Sequence, residues 1–236
     1  LSTLRANTGS SNTALGSQAL RNNTTASNNT AVGFQAGYYT TTANRLTAIG
    51  QFAGYGQATG AENTYVGYGS GPNTIANASG QFNTSLGTFA LYSNTTGSES
   101  TAVGYQAGYS NTTGRITAMG RHAVKNNTTA VEVTGIGYRA LRDNTTGQYN
   151  TSVGGDALMQ NTTAGSNTAV GYQALYDNTT GGVNTAVGAS AGENITTGNG
   201  NTILGRAALR AVTTTGSNVA IGNDTLENAT GSNNTA

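Results

Sequence analysis

The chain has no cysteine and no tryptophan, and only one proline and four phenylalanines. Without cysteine it can form neither a disulfide framework nor a thiolate zinc site. Charged residues make up 8% of the sequence, against about 25% in typical globular proteins. The ten Lys and Arg residues are scattered and the net charge is +1, so no basic stripe indicates a nucleic-acid partner. No apolar run approaches the roughly 18 residues of a membrane-spanning helix, and we expect no membrane insertion.

Glycine, asparagine and threonine are abundant, and they recur at a fixed period. The stretch NTAVGYQALYDNTTGGVNTAVG, residues 167–188, contains Asn-Thr-Ala-Val-Gly twice. One glycine, here called the ruler glycine, follows an aliphatic residue thirteen times, and ten of the twelve intervals between successive copies equal the interval from Gly171 to Gly188. The ruler glycines are Gly16, Gly33, Gly50, Gly67, Gly87, Gly104, Gly120, Gly137, Gly154, Gly171, Gly188, Gly205 and Gly222.

The repeat fills the whole chain, so the sequence predicts a single repeat array over residues 1–236. One longer interval, from Gly67 to Gly87, contains Pro72, and one shorter interval separates Gly104 from Gly120. Because proline cannot donate to a backbone ladder, we expect an irregular repeat with a small loop at 68–82. Both chain ends fall inside the repeat, which we interpret as an excerpt of a longer repetitive chain.

The three residues before each ruler glycine predict a short strand. The last of them is always aliphatic, the first is threonine in twelve copies, and the middle one is usually alanine. Alternation of this kind indicates a β-strand. We expect the threonine and the aliphatic residue to face the core, as for Thr168 and Val170.

The residues after the ruler glycine predict bends. Alanine stands three positions after it in eleven copies, and the next position holds Leu or Val in eight copies and Gly in five. A nearly invariant alanine indicates a tight gap. Asn-Thr-Thr follows in seven copies, and these residues suit positions that need side-chain to backbone hydrogen bonds.

So short a period favours an all-β fold over a helical one. Helical repeats need about 33 residues or more, and glycine, threonine and asparagine are poor helix formers. The sequence therefore predicts a β-solenoid or β-roll of about thirteen 17-residue coils. Asn and Thr side chains would then stack in ladders and hydrogen-bond from coil to coil.

The apolar content of each coil is small, which favours self-association. We expect a parallel homotrimer or a unit of a longer filament, with a single-chain solenoid as the alternative. The Leu-or-Gly column and an aromatic column directly after the ruler glycine are the candidate inter-chain or surface contacts. The aromatic column consists of Phe34, Tyr68, Tyr105, Tyr138 and Tyr172.

The motif SNVAIG, residues 217–222, and its relatives NTAVG and LTAIG resemble the Ser-Val-Ala-Ile-Gly signature of the head repeats of trimeric autotransporter adhesins. The longer unit NTAVGYQAL with NTTG also resembles repeats of phage tail-fibre-like and bacterial surface fibre proteins. The resemblance implies a left-handed parallel β-roll assembled as a trimer. It also implies that Val219 and Ile221 form the inward pair of their strand.

Each Asn-Thr-Thr is also an acceptor sequence for N-glycosylation. Glycosylation requires these side chains to point outward, whereas an interpretation as bend chemistry does not, and we favour the latter. The candidate acceptors are Asn23, Asn94, Asn111, Asn127, Asn144, Asn161 and Asn178.

No pattern in the sequence predicts catalysis, a cofactor or a metal site. His122 is the single histidine and has no acidic neighbours with which to form a metal cluster or a triad. The nine acidic residues are spread along the chain, and no two carboxylates pair with a nucleophile.

The sequence thus predicts a structural, non-enzymatic fibre or filament shaft, located outside the cell, on a cell surface or on a virion. The alternative is an adhesin or tail-fibre receptor-binding surface that contacts a host cell or a carbohydrate.

Overall fold

The computed structural model describes residues 3–5, 7–73 and 77–236. The chain divides into two compact units, residues 1–115 and 116–236. Each unit is an all-β solenoid with one short parallel strand in each coil. This confirms the fold class predicted from the period.

Every strand ends directly before a ruler glycine. The first unit contains β1 (Thr13–Leu15), β2 (Thr30–Val32), β3 (Thr47–Ile49), β4 (Thr64–Val66), β5 (Thr84–Leu86) and β6 (Thr101–Val103). The second contains β7 (Ile116–Met119), β8 (Val133–Ile136), β9 (Thr151–Val153), β10 (Thr168–Val170), β11 (Thr185–Val187), β12 (Thr202–Leu204) and β13 (Val219–Ile221).

Successive strands within a unit pair in parallel, with equivalent residues opposite each other. In β10 and β11, Thr168 pairs with Thr185 and Val170 with Val187. Because the pairing advances by one repeat, most side chains stack on a chemically similar residue of the next coil. The predicted stacking of like side chains is therefore confirmed.

The ruler glycine is required where the chain leaves the strand. Gly171 has φ of +139°, and a Cβ built on it would lie 2.4 Å from the carbonyl oxygen of Gly188 in the next coil. No side chain fits between coils at this distance, and L-residues rarely adopt this backbone conformation. The coils consequently approach each other through glycine backbone.

The strands face the core with the opposite residues from those predicted. Ala169 is fully buried, whereas Thr168 and Val170 are only partly buried. The inward pair inferred from the adhesin resemblance is wrong for the same reason, since Ala220 is fully buried and Ile221 is 55% exposed. The middle residue lies inside because the coil interior also holds the buried alanine and leucine of the bends, which leave room for a small side chain such as that of Ala169.

The Leu-or-Gly column lies inside each unit, so the prediction that it packs against other chains is wrong. Leu20, Leu91, Leu141, Leu158 and Leu175 all have no exposed surface. This column adopts positive φ in every copy, for example 51° at Leu175. The core leucines therefore adopt a left-handed backbone conformation, which costs a non-glycine residue about 1–2 kcal/mol.

Where this column holds glycine, a larger residue elsewhere in the core occupies the space. A Cβ on Gly54 would lie 2.9 Å from Cδ2 of Tyr65, and one on Gly71 would lie 2.5 Å from its Cγ. In the second unit, a Cβ on Gly192 would lie 2.7 Å from Cδ1 of Ile203. Glycine thus replaces leucine where another core side chain already fills the volume.

A buried hydrogen bond between Tyr65 and Gln57 satisfies the hydroxyl of this larger core residue. Its hydroxyl donates to Oε1 of Gln57 at 2.9 Å, and Nε2 of Gln57 donates to the carbonyl of Gly60 at 2.9 Å. Gln57 stands in the column where most coils have the first residue of Asn-Thr-Thr. Complete burial raises the pKa of the Tyr65 hydroxyl, which keeps it protonated as a donor.

The extra residues of the longer interval lie between Asn73 and Ala78. The N–H of Asn73 bonds the carbonyl of Tyr92, and the N–H of Ser79 bonds that of Thr95. The two donors are six positions apart in the sequence, but their acceptors in the next coil are only three apart. Thr64 still pairs with Thr84, so the insertion leaves the strand register intact. Residues 74–76 of the predicted loop lie outside the described residues.

Candidate functional site

Two columns of asparagine amides line the interior, each interrupted in the coils that have another residue at the position. In the first column, Nδ2 of Asn161 donates to the carbonyl of Ala164 at 2.9 Å and to Oδ1 of Asn144, one coil earlier, at 2.7 Å. Asn178 repeats the pattern onto Gly181 and Asn161. Oδ1 of Asn178 has no partner, because the next coil has Ile195 at this position. The ladder stops where the sequence departs from asparagine.

The second column stands directly before the strands. Oδ1 of Asn167 accepts the backbone N–H of Asn184 at 2.9 Å, and Asn184 and Asn201 repeat this contact. Nδ2 of Asn167 donates to the carbonyl of Gly181 at 2.9 Å, the same oxygen that receives Asn178. The two columns therefore meet at one carbonyl here, which confirms the predicted hydrogen-bonded asparagine ladders.

The Asn-Thr-Thr asparagines face inward. The candidate glycosylation sites are therefore contradicted, because glycosylation requires these side chains to point outward. All seven candidate acceptors are at most 1% exposed, namely Asn23, Asn94, Asn111, Asn127, Asn144, Asn161 and Asn178. Their Nδ2 atoms, which would carry the sugar, hydrogen-bond inside the coil, as in Asn94, whose Nδ2 donates to the carbonyl of Gly97 at 2.8 Å. The interpretation as bend chemistry fits this position.

In each unit, the outer face of the strands carries a row of aliphatic side chains, here called the aliphatic ladder. It is the residue before each ruler glycine: Leu15, Val32, Ile49, Val66, Leu86 and Val103 in the first unit, and Met119, Ile136, Val153, Val170, Val187, Leu204 and Ile221 in the second. Leu15 is 66% exposed and Leu204 48%. Threonine flanks the ladder on the same face. Among the residues that the structure describes, no strand contains a charged side chain.

The sequence pattern predicted that the ladder residue faces the core, because that residue is the most consistently hydrophobic of each strand. Coupled volume was the available signal. The middle strand position is small wherever the preceding Leu-or-Gly position holds Leu or Val, and it is large only at Tyr65 and Ile203, after Gly54 and Gly192. Cores keep their total volume in this way, so the middle position and the Leu-or-Gly column share one interior.

The aromatic column lies on the surface, where it is accessible for a contact. Phe34, Tyr68, Tyr105 and Tyr138 are 42–43% exposed and Tyr172 is 57% exposed. They do not form one uniform row. The guanidinium of Arg139 lies 4.7 Å from the ring centre of Tyr138, while Phe34 packs edge to face with Phe52 at 5.5 Å.

A second set of aromatic residues stands five positions after the ruler glycine in the first unit. Tyr38 stacks on Tyr55 with ring centres 5.3 Å apart, and Tyr92 stacks on Tyr109 at 5.1 Å. The coil between these two pairs has Pro72 at the same position. The tyrosine row is therefore interrupted by one coil.

A groove of about 290 Å³ opens at the interruption. Phe52, Tyr68 and Phe89 form a chain of edge-to-face contacts, with ring centres 6.0 Å and 5.1 Å apart. Tyr55, Tyr92 and Asn73 complete its lining. We call this groove the aromatic notch.

Charged side chains pair mainly between adjacent coils. Arg139 makes a two-pronged contact with Asp156, with N–O distances of 2.7 and 2.9 Å, and the Asp156 side chain is 7% exposed. Arg45 pairs with Glu62 at the surface. His122 lies among cations, and partial burial together with the neighbouring arginines and lysine, chiefly Arg121, lowers its pKa.

Among residues 3–5, 7–73 and 77–236, no three His, Cys, Asp or Glu side chains cluster as metal ligands would. The same residues contain no helix of the length and apolarity needed to cross a membrane. Comparison with known proteins gave no match to a protein family, a curated protein or a solved structure.

Proposed function

We propose that the chain is a non-enzymatic structural shaft whose copies associate through the aliphatic ladder. The single observation that carries this proposal is the exposed ladder itself. Monomeric proteins rarely expose a large contiguous apolar patch, and such patches mark interaction sites. The absence of charge on the strand faces fits a second copy of the same surface, since charged residues are depleted at the centres of interfaces.

The strand face suits lateral association along the shaft. Exposed surfaces of soluble proteins normally carry interspersed charged side chains, and none of the strands in the described part of the chain carries one. A parallel homotrimer places three ladders around one axis, which buries them together. A fibre of this kind acts outside the cell, on a cell surface or on a virion, where it extends or displays another segment.

The experiment compares lysine substitutions on and off the ladder. Val153, Val170 and Val187, in neighbouring coils of the second unit, are changed together to lysine, and Val183 alone is changed to lysine as the control. Val183 is 67% exposed and does not belong to the ladder. Sedimentation equilibrium should show an oligomer for the original chain and for Val183→Lys, and a folded monomer for the triple variant. A monomeric original chain would refute the proposal.

The alternative function, an adhesin or receptor-binding surface, draws support from the exposed aromatic column. Tyr105, Tyr138 and Tyr172 changed to serine would reduce adhesion to target cells if the column binds them. The circular dichroism spectrum serves as the control for folding. Unchanged adhesion would leave the shaft as the proposed role.

A further inference from the structure

We propose that the aromatic notch is a binding site for one ring of a neutral carbohydrate. The notch is a gap in a ladder whose other members are stacked six-membered rings. Tyr55 and Tyr92 stand on its two sides, and each stacks on another tyrosine away from the notch. A ring-shaped ligand would occupy the place that Pro72 leaves without an aromatic side chain.

The width of the notch favours a puckered ring over a flat one. Two coil spacings of about 4.8 Å separate the tyrosines that flank the interrupted coil, which gives about 9.6 Å between them. A flat aromatic ring in contact on both sides needs about 7 Å, from carbon contacts of about 3.5 Å. A pyranose chair is thicker than an aromatic ring, because its carbons and their hydrogens lie above and below the mean plane, and it fills the wider space better.

The composition of the walls also fits a sugar. Phe52, Tyr68 and Phe89 supply apolar ring surface for the C–H groups of a pyranose. Tyrosine hydroxyls and the Asn73 amide supply polar groups at the same groove for its hydroxyls. Binding sites of this type combine apolar walls with a few polar groups that fix orientation.

Charge narrows the ligand class. All six lining residues are uncharged, so the notch offers no ionic partner to a sialic acid, a uronic acid or a sulfated sugar. Asn73 is held in place, since its Nδ2 donates to the carbonyl of Phe52 at 3.1 Å. The inference is separate from the proposed self-association, because the notch is built from bend residues and contains none of the ladder residues.

The test is calorimetric titration of the full 236-residue chain with neutral gluco-, galacto- and N-acetylglucosamine oligosaccharides. The central variant is Pro72→Tyr, which should continue the tyrosine row and fill the notch. Tyr55→Ala and Tyr92→Ala each remove one flanking ring. Tyr176→Ala is the matched control, because Tyr176 holds the same repeat position in the second unit, away from the notch.

At least one oligosaccharide should bind, and Pro72→Tyr should abolish binding. Loss of one stacked ring should weaken it by about three- to tenfold, and Tyr176→Ala should change it by less than about twofold. If Pro72→Tyr does not fold, as judged by circular dichroism, the two alanine variants carry the test.

Several results would overturn the proposal. They are no sugar binding up to about 10 mM, equal binding by all variants, or binding of p-cresol, the side chain of tyrosine, without binding of any sugar. The oligomeric state of Pro72→Tyr should equal that of the original chain. A monomeric original chain that still binds sugar would count against the proposed shaft contacts and not against the notch.

Discussion

Tyr65 occupies the volume that a side chain at residue 54 would need, since a Cβ on Gly54 would lie 2.9 Å from Cδ2 of its ring. Most other coils fill the same core volume with a leucine from the bend and have a small residue, usually alanine, in the strand. In this coil the large and small residues have exchanged places. Residues in direct contact are expected to couple in stability measurements.

This exchange predicts a non-additive pair of substitutions. Tyr65→Ala should lower the free energy of unfolding by about 3–5 kcal/mol because it leaves a cavity. Gly54→Leu should lower it by about 1–3 kcal/mol through overpacking. The double variant restores the usual pair and should be more stable than the sum predicts by about 1–3 kcal/mol. Urea unfolding followed by circular dichroism measures all three, with exposed Thr24→Ala as an additive control; additivity of the double variant would contradict the exchange.

The end of the asparagine ladder at Asn178 predicts unequal costs for two identical substitutions. Asn161→Ala leaves Oδ1 of Asn144 and one amide hydrogen of Asn178 without partners, at about 1–3 kcal/mol for each group. Asn178→Ala leaves Oδ1 of Asn161 without its donor, but it also removes an Oδ1 that is already unpaired. We expect Asn161→Ala to be more destabilising by about 1 kcal/mol or more in urea unfolding. An equal or greater loss at Asn178 would show that the amide ladder is not the source of the stability.

The two-pronged ion pair of Arg139 and Asp156 predicts a larger effect than the surface pair of Arg45 and Glu62. Arg139→Ala leaves the buried Asp156 carboxylate without its partner and should cost about 1–3 kcal/mol. Arg45→Ala should cost at most about 1 kcal/mol, because both side chains of that pair are solvated. Arg139→Lys should fall between them, since lysine keeps the charge but loses the paired geometry. Thermal unfolding of the three variants, run in parallel, tests this order.

The position of His122 predicts a pH dependence with a defined sign. Burial and neighbouring cations lower its pKa in the folded chain, so the unfolded chain binds the proton more readily. Stability should therefore be unaffected above the ordinary histidine pKa of about 6.5 and should fall as the pH drops below it.

Because the chain has one histidine, a single imidazole signal in a proton NMR titration reports this pKa directly. His122→Gln, which places the glutamine of other coils at this position, should remove the corresponding slope from the pH dependence of the melting temperature. A midpoint at or above about 6.5 would contradict the assignment.

The period, the strands and their parallel register could be predicted because they depend on spacing, which the sequence displays directly. The inward face of the strands could not, because a three-residue strand such as β10 offers only one alternation. Thr168 and Val170 outnumber Ala169, and hydrophobicity favours the pair containing valine. What decides the orientation is the volume of the coil interior: the middle strand residue is small where the preceding Leu-or-Gly position holds leucine, and Tyr65 or Ile203 fits where it holds glycine.

The orientation of the Asn-Thr-Thr asparagine side chains could not be predicted from the sequence either. An asparagine in a bend can face water or satisfy the backbone inside it, and the local residues are the same in both cases. The interior is favourable because Asn161 hydrogen-bonds there to Asn144 and Asn178 of the adjacent coils and to the carbonyl of Ala164. The aromatic notch could not be predicted from one repeat, because it arises where Pro72 replaces the tyrosine that the adjacent coils have at the same position.

The in-register contacts make one whole coil the change in size that leaves every remaining layer regular. Deletion of residues 171–187 joins Val170 to Gly188 and brings β10 next to β12, with Thr168 opposite Thr202 and with the Asn167 amide facing Asn201. A deletion of another size would have to be absorbed within a single bend, as the extra residues of the longer interval are, and would leave that coil irregular. Duplication and loss of whole coils therefore give evolution a way to adjust dimensions in fixed increments while the chemistry of each layer stays the same.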